Sequence, residues 1–238
     1  MSYLGRILFV CCCVTPLLVQ CEDTKKQHNV IPKNQQSNSV SIQEVRQKDT
    51  LYSIKNLEKL TQENVVKLLT RYGKDNLETK VQLTTPYGSI VIELFKDTPL
   101  HRANFIYLVK QGYFNTTYFH RVVSNFIIQA GTSDNRETQE DRYAIGHTYR
   151  IPNEINRKHA YGTLSGAKYY RDNDDKKTEP FEFYIFLGPK TATKHLDGSY
   201  TVFGKVIKGM EVVVKISKLP KDAKQWPLKN VTITAKTL

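Results

Sequence analysis

The sequence predicts a mainly β domain whose short antiparallel strands close, or nearly close, into a barrel. Three observations carry this. Short apolar stretches recur between turn-forming residues from Val81 to Ala235. Helical periodicity in that body is confined to two modest segments, so a bundle is excluded. No internal repeat is present, which excludes solenoids and propellers. The composition agrees: among 238 residues, 39% hydrophobic and 24% charged rule out wholesale disorder, and 12 Gly with 9 Pro rule out a collagen-like chain. A chain of this length buries a core without disulfides or structural metal.

Strands are expected over 81–85 and 89–95, flanking Pro86-Tyr87-Gly88, where glycine accommodates a turn. Asp97-Thr98-Pro99 caps a helix whose buried face is Ala103, Phe105, Ile106, Leu108 and Val109, and Gly112 ends it. Further strands follow over 118–122, 126–130, 163–167, 181–187 and 202–207, then a short helix over 210–216 and a closing strand over 231–235. Ahead of this domain (79–238), residues 51–78 form a helical extension. There Leu57, Leu60, Val65, Leu68 and Leu69 recur at helical spacing over 57–72, with Thr61 a candidate cap and Gly73 a stop.

The front of the chain reads differently. Arg6 precedes an apolar run over 7–19, too short for a bilayer span and of signal-peptide length, so residues 1–20 are expected to be an export signal. Residues 21–50, rich in Gln, Asn, Ser and Lys, read as a flexible tether. All four cysteines lie here (Cys11, Cys12, Cys13, Cys21), so the body holds no disulfide, thiolate zinc site or thiol nucleophile. Leu18-Val19-Gln20-Cys21 resembles a bacterial lipobox, although Gln20 departs from the usual small residue. It implies lipidation of Cys21 and a membrane-anchored protein of a bacterial envelope or periplasm. The alternatives are a plain secretory signal or an uncleaved anchor.

Other chemistries are absent. Gly162-Thr163-Leu164-Ser165-Gly166 does not centre its serine as a nucleophile elbow requires, and no phosphate loop occurs. The six histidines show no metal-ligand spacing, so neither metal nor cofactor is expected. The net charge of +12 is spread along the chain rather than gathered, which argues against a nucleic-acid partner. One run stands out, 119–131, where Arg121 and Gln129 are embedded among apolar strand residues. By alternation Phe119 and Arg121 share one face, and Ile127 and Gln129 another. Read singly, Arg121 is a snorkelling surface residue and Gln129 an edge cap.

Taken together, that run resembles the signature of the cyclophilins, a family of peptidyl-prolyl cis-trans isomerases. The likeness extends in order from Thr98-Pro99 and Ala103-Asn104-Phe105 through Gly112-Tyr113-Phe114 and Gly162-Thr163-Leu164-Ser165 to the stretch 196–206. It implies a closed eight-stranded antiparallel barrel capped by two helices, with a proline groove on its outside. Arg121 is then the catalytic arginine and Gln129 holds the substrate backbone. Phe126, Ile127, Ala167, Tyr184, Leu196, His195, Tyr200 and Glu182 border the groove. The expected partner is a proline-containing polypeptide, taken by a monomer.

The reaction suits such residues. Rotating an X–Pro bond breaks nothing but crosses a barrier of roughly 18–20 kcal/mol. What helps is a fixed cation beside the twisted amide and an apolar socket for the ring. Three departures from the family pattern stand out. Glu182 replaces a neutral amide facing the groove, where it is placed to ion-pair with Arg121 or to favour basic substrates. A charged stretch over 168–179 replaces a loop of small residues, and His195 and Tyr200 replace Trp and His. The rival reading, a proline-segment binding module without turnover, rests on Glu182 and that loop.

Overall fold

The computed structural model describes residues 58–168 and 174–238. The expected signal, tether and Cys21, the start of the helical extension, and part of the charged loop lie outside these residues. Eight strands form one antiparallel sheet: β1 (Lys80–Thr85), β2 (Gly88–Leu94), β3 (Tyr118–Val123), β4 (Ile127–Thr132), β5 (Thr163–Gly166), β6 (Phe183–Phe186), β7 (Val202–Lys208) and β8 (Thr234–Thr237). Their order is β3-β4-β6-β5-β7-β2-β1-β8. The helices are α1 (Val65–Asp75), α2 (Pro99–Lys110), α3 (Arg136–Ile145) and α4 (Met210–Ser217).

The sheet curls into an open half-barrel, which corrects the expectation of a closed one. Its end strands meet not by a ladder but at a single bridge, Tyr118 to Thr232. On either side Phe119 N–H donates to Val231 O at 2.9 Å and Ile233 N–H to Thr117 O at 3.2 Å. The reason lies in the returning chain. A turn anchored by Asp222 Oδ1, which accepts from the Lys224 and Trp226 N–H groups, leads into Pro227, which has no N–H to donate. The approach to β3 is therefore piecemeal, and the last regular strand begins at Thr234 rather than at Val231 and runs on to Thr237.

Alternation splits the sheet into two apolar faces. Val81, Leu83, Ile90, Ile92, Phe119, Ile128, Leu164, Phe183 and Ile185 fill the interior with α2 and α4 side chains. All four β6 residues are nevertheless buried, because Tyr184 and Phe186 point outward into a second cluster with Ile127, Leu196 and Tyr200. That outer cluster is the floor on which the site is built. α2 is buried along nearly its whole length, and Gly112 follows it in the left-handed region at φ 74°, as the end signal requires.

Three helix expectations change, the first being that Gly73, expected as a stop, lies inside α1, which runs on to Asp75. α1 starts at Val65, not Leu57, because Thr61 and Asn64 cap each other there. Thr61 N–H donates to Asn64 Oδ1 at 2.7 Å, and Asn64 N–H to Thr61 Oγ1 at 3.4 Å. α3 was not expected at all. Its sequence, RETQEDRYAI, lacks an apolar stripe, and the residues it buries include Thr138 and Asp141, held by polar contacts with Thr116.

Candidate active site

Arg121, Gln129 and Tyr184 are cross-strand neighbours on three adjacent strands, and Ile127 pairs with Phe186 beside them. Side chains far apart in sequence are thus brought onto one outward patch. Arg121 reaches it through an irregularity. The β3–β4 register slips between Phe119 and Arg121, so Phe119 faces Ala130 in the core while Arg121 faces Gln129 outside. This corrects the expectation that Phe119 and Arg121 share a face: the extra residue of the bulge turns the arginine outward. Ile127 and Gln129 do share a face, as alternation demands.

The patch is concave. Arg121, Phe126, Ile127, Gln129, Ala167, Lys168, Tyr184, His195, Leu196 and Tyr200 line a cavity of about 300 Å³. All but one of the groove residues expected from sequence therefore come together. Phe126 is lifted over one side by the β3–β4 turn, in which Asn125 takes φ 60°, a left-handed conformation asparagine tolerates. Leu187 N–H donates to Phe126 O at 2.7 Å and fixes that rim. Leu196 closes the other side after a 3-10 turn over Lys190–His195, and His195 lies exposed with its ring 6.1 Å from that of Phe126. Tyr200 meets Tyr184 edge-on at 5.8 Å, and the Lys168 ammonium sits 4.5 Å above its ring. Burial, helped by the nearby Lys176, lowers the Lys168 pKa.

Glu182 is the exception, because it stands behind Gln129 rather than in the cavity. Among the described residues it makes no ion pair with Arg121, correcting one of the two roles expected for it. Its Oε1 lies 3.3 Å from Arg142 Nη2, and its Oε2 accepts from Gln129 Nε2 at 2.9 Å. His120 Nε2 is 3.6 Å from Oε2, and burial, only partly opposed by Glu182, lowers the His120 pKa. Arg121 is instead held by its Nε, which donates to Gln225 Oε1 at 2.8 Å, with Nη1 3.5 Å from Gln129 Oε1.

Sequence reasoning missed four supporting residues. Arg142 comes from the unexpected α3, and Gln225 from a loop 104 residues beyond Arg121. The other two are a pair under the pocket wall. Asp197 Oδ1 lies 2.8 Å from His159 Nδ1, so that nitrogen carries the proton, and His159 Nε2 accepts from the Tyr184 hydroxyl at 2.8 Å. Burial, against the pull of Asp197, lowers the His159 pKa. An Asp–His–Tyr chain thus fixes the aromatic wall. No local pattern marks any of these four. Among the described residues no cluster of three metal-ligating side chains occurs, and no helix is long and apolar enough to cross a membrane.

Residues 80–237 match the family model described as "Cyclophilin type peptidyl-prolyl cis-trans isomerase/CLD". The chain is 39% identical over 166 residues to "Peptidyl-prolyl cis-trans isomerase-like 2" of Rhizopus delemar, an alignment covering 68% of this chain but 29% of that protein. It is 32% identical over 170 residues to the "Peptidyl-prolyl cis-trans isomerase" of Acinetobacter baylyi, covering 67% of this chain and 87% of the relative. Among solved structures, a Cryptosporidium parvum cyclophilin type isomerase determined in the presence of the dipeptide Ala-Pro superposes with a TM-score of 0.55. It is 26% identical, and the match covers 67% of this chain and 98% of that one.

Proposed function

Because the chain belongs to the cyclophilin-type peptidyl-prolyl cis-trans isomerase family, we propose that this groove accelerates rotation about X–Pro bonds, with Arg121 as the catalytic cation. The observation that carries the reading is Arg121 standing at one edge of the cavity walled by Phe126, Ile127 and Leu196. The proline ring enters between Phe126 and Leu196, against the buried Ile127 and the Tyr184 ring. Gln129 takes the neighbouring peptide backbone with its amide. As the preceding carbonyl turns, conjugation is lost and the prolyl nitrogen regains its lone pair, to which a fixed guanidinium donates. Gln225 and Gln129 hold that guanidinium before substrate arrives, so little reorganisation is left for the reaction itself. No acid–base pair is needed.

A protease-coupled assay on a proline-containing tetrapeptide tests this. Arg121→Ala is expected to lower kcat/KM by about 10²-fold, the scale of losing one preorganised donor; an unchanged rate makes the assignment wrong. The rival reading of a binding module draws its support from Glu182, as a partner for Arg121, and from the charged stretch over 168–179, part of which lies outside the described residues. Glu182 is engaged with Arg142 and Gln129 instead.

The substrates we infer are proline-containing polypeptides folding in a bacterial envelope, with the protein exported and anchored as a monomer through a lipidated Cys21. The apolar run over 7–19 and the sequence Leu18-Val19-Gln20-Cys21 support that placement. Intact mass of the membrane fraction is expected to show the acyl adduct, and Cys21→Ser to release the protein into the soluble fraction. An unmodified, soluble wild type sinks the anchoring.

A further inference from the structure

Glu182 stands where the family pattern has a neutral amide, and its surroundings give that difference a purpose. We propose that the Glu182–Arg142 pair is a positioning device that locks the side-chain amide of Gln129 in one orientation. This rests on the isomerase reading above. The amide oxygen of glutamine only accepts hydrogen bonds and its nitrogen only donates. On one side Gln129 faces a carboxylate, which only accepts; on the other it faces the Arg121 guanidinium, which only donates. Nε2 donates to Glu182 Oε2 at 2.9 Å, and Oε1 lies 3.5 Å from Arg121 Nη1. Reversing the amide sets oxygen against carboxylate and NH2 against guanidinium, so two attractive contacts become two repulsive ones. A neutral amide at position 182 imposes no such choice, because it can itself turn and pair with either orientation.

Arg142 keeps the carboxylate in place. Its Nη2 reaches Glu182 Oε1 at 3.3 Å and donates to Gly131 O at 3.0 Å, while its Nε donates to the Tyr113 hydroxyl at 2.8 Å. The Phe181 ring lies 5.1 Å from the guanidinium carbon. With Arg142 and Glu182 side chains 13% and 11% exposed, solvent screens the pair little. The result is a line of alternating charge and dipole, Arg142–Glu182–Gln129–Arg121, from α3 to the groove. Its consequence falls on the substrate side. One Gln129 N–H is committed to Glu182, which leaves the second as the donor the amide can offer a substrate carbonyl.

A double-mutant cycle tests the device in the full chain. Glu182→Gln, an isosteric change, is expected to lower kcat/KM about tenfold in the wild-type background, the scale of a modest misplacement of a reacting group. In a Gln129→Leu background the same change is expected to cost less than twofold, because its effect passes through the amide it orients. Equal losses in both backgrounds, or none in the first, overturn the proposal and leave the isomerase reading standing. Absence of activity in the unsubstituted chain fails that reading instead. Should Glu182→Gln not fold at the assay temperature, NMR of the unsubstituted protein decides. The Gln129 side-chain amide, assigned by its disappearance in Gln129→Leu, is expected to show backbone-like rigidity in nitrogen relaxation. Fast, large-amplitude motion of that amide overturns the proposal.

Discussion

Glu179→Gln is expected to flatten a loss of stability that the wild-type protein undergoes as the pH rises from 4.5 to about 7. Glu179 is buried next to the groove wall, its N–H donating to Ala167 O at 2.9 Å. Burial pushes its carboxyl up to about 7, and neighbouring Glu182 adds to that. Arg150, whose Nη2 lies 3.2 Å from Oε2, only partly offsets it. The unfolded chain sheds this proton near 4.5 and the folded chain near 7. Between those values the folded state binds the extra proton, so stability falls as pH rises. The stabilisation is whole below pH 4.5 and gone above about 7. A gap of about 2.5 units amounts to about 3 kcal/mol, or roughly 6–12 °C in Tm for a domain of this size. Urea melts of both proteins every half unit from pH 4.5 to 8.5 measure it. Asp141, which burial raises to about 6, contributes in the same sense, and His120 and His159, lowered by burial, in the opposite one. All three remain in the variant and cancel in the difference. A wild-type minus variant difference that is flat across the range refutes the argument, as does one that grows with pH.

Three further outcomes follow from the same geometry. Tyr184→Phe strips the buried Nε2 of His159 of its donor, and a chemical melt is expected to lose about 1–3 kcal/mol; equal stability means that the Asp197–His159–Tyr184 chain is not formed. Gln225→Leu frees Arg121 Nε from its 2.8 Å partner. The expected effect is a several-fold fall in kcat with KM held within about twofold, and a loss confined to KM contradicts it. Gly131→Ala places a Cβ 2.0 Å from Phe181 O at φ 107°, where β4 meets the chain entering β6. Little soluble folded protein is expected on expression, and a wild-type melting curve refutes that close approach.

The groove was legible in the sequence because its core is local. β3, its turn and β4 bring Arg121, Phe126, Ile127 and Gln129 into one stretch whose polar residues are conspicuous among apolar ones. The strands were legible for a similar reason: alternation and turn residues act over a few positions. α3 escaped because tertiary contacts, not an apolar stripe, make its polar face worth burying. Helical spacing alone placed the start of α1 too early, since a reciprocal side-chain cap fixed it at Val65.

By itself, then, the sequence determined the strand-rich architecture and the residue types that meet a proline: one cation, one amide and an apolar socket. The tertiary structure decided how they meet. A one-residue bulge turned Arg121 away from Phe119, and Glu182 went to Arg142 rather than to Arg121. Gln225 and the Asp197–His159 pair arrived from distant loops, and the sheet stayed open where the chain returns through Pro227. Each of these depends on which donors and acceptors meet once water has been excluded. That is a property of chain segments brought together in space, and no short window of sequence contains it.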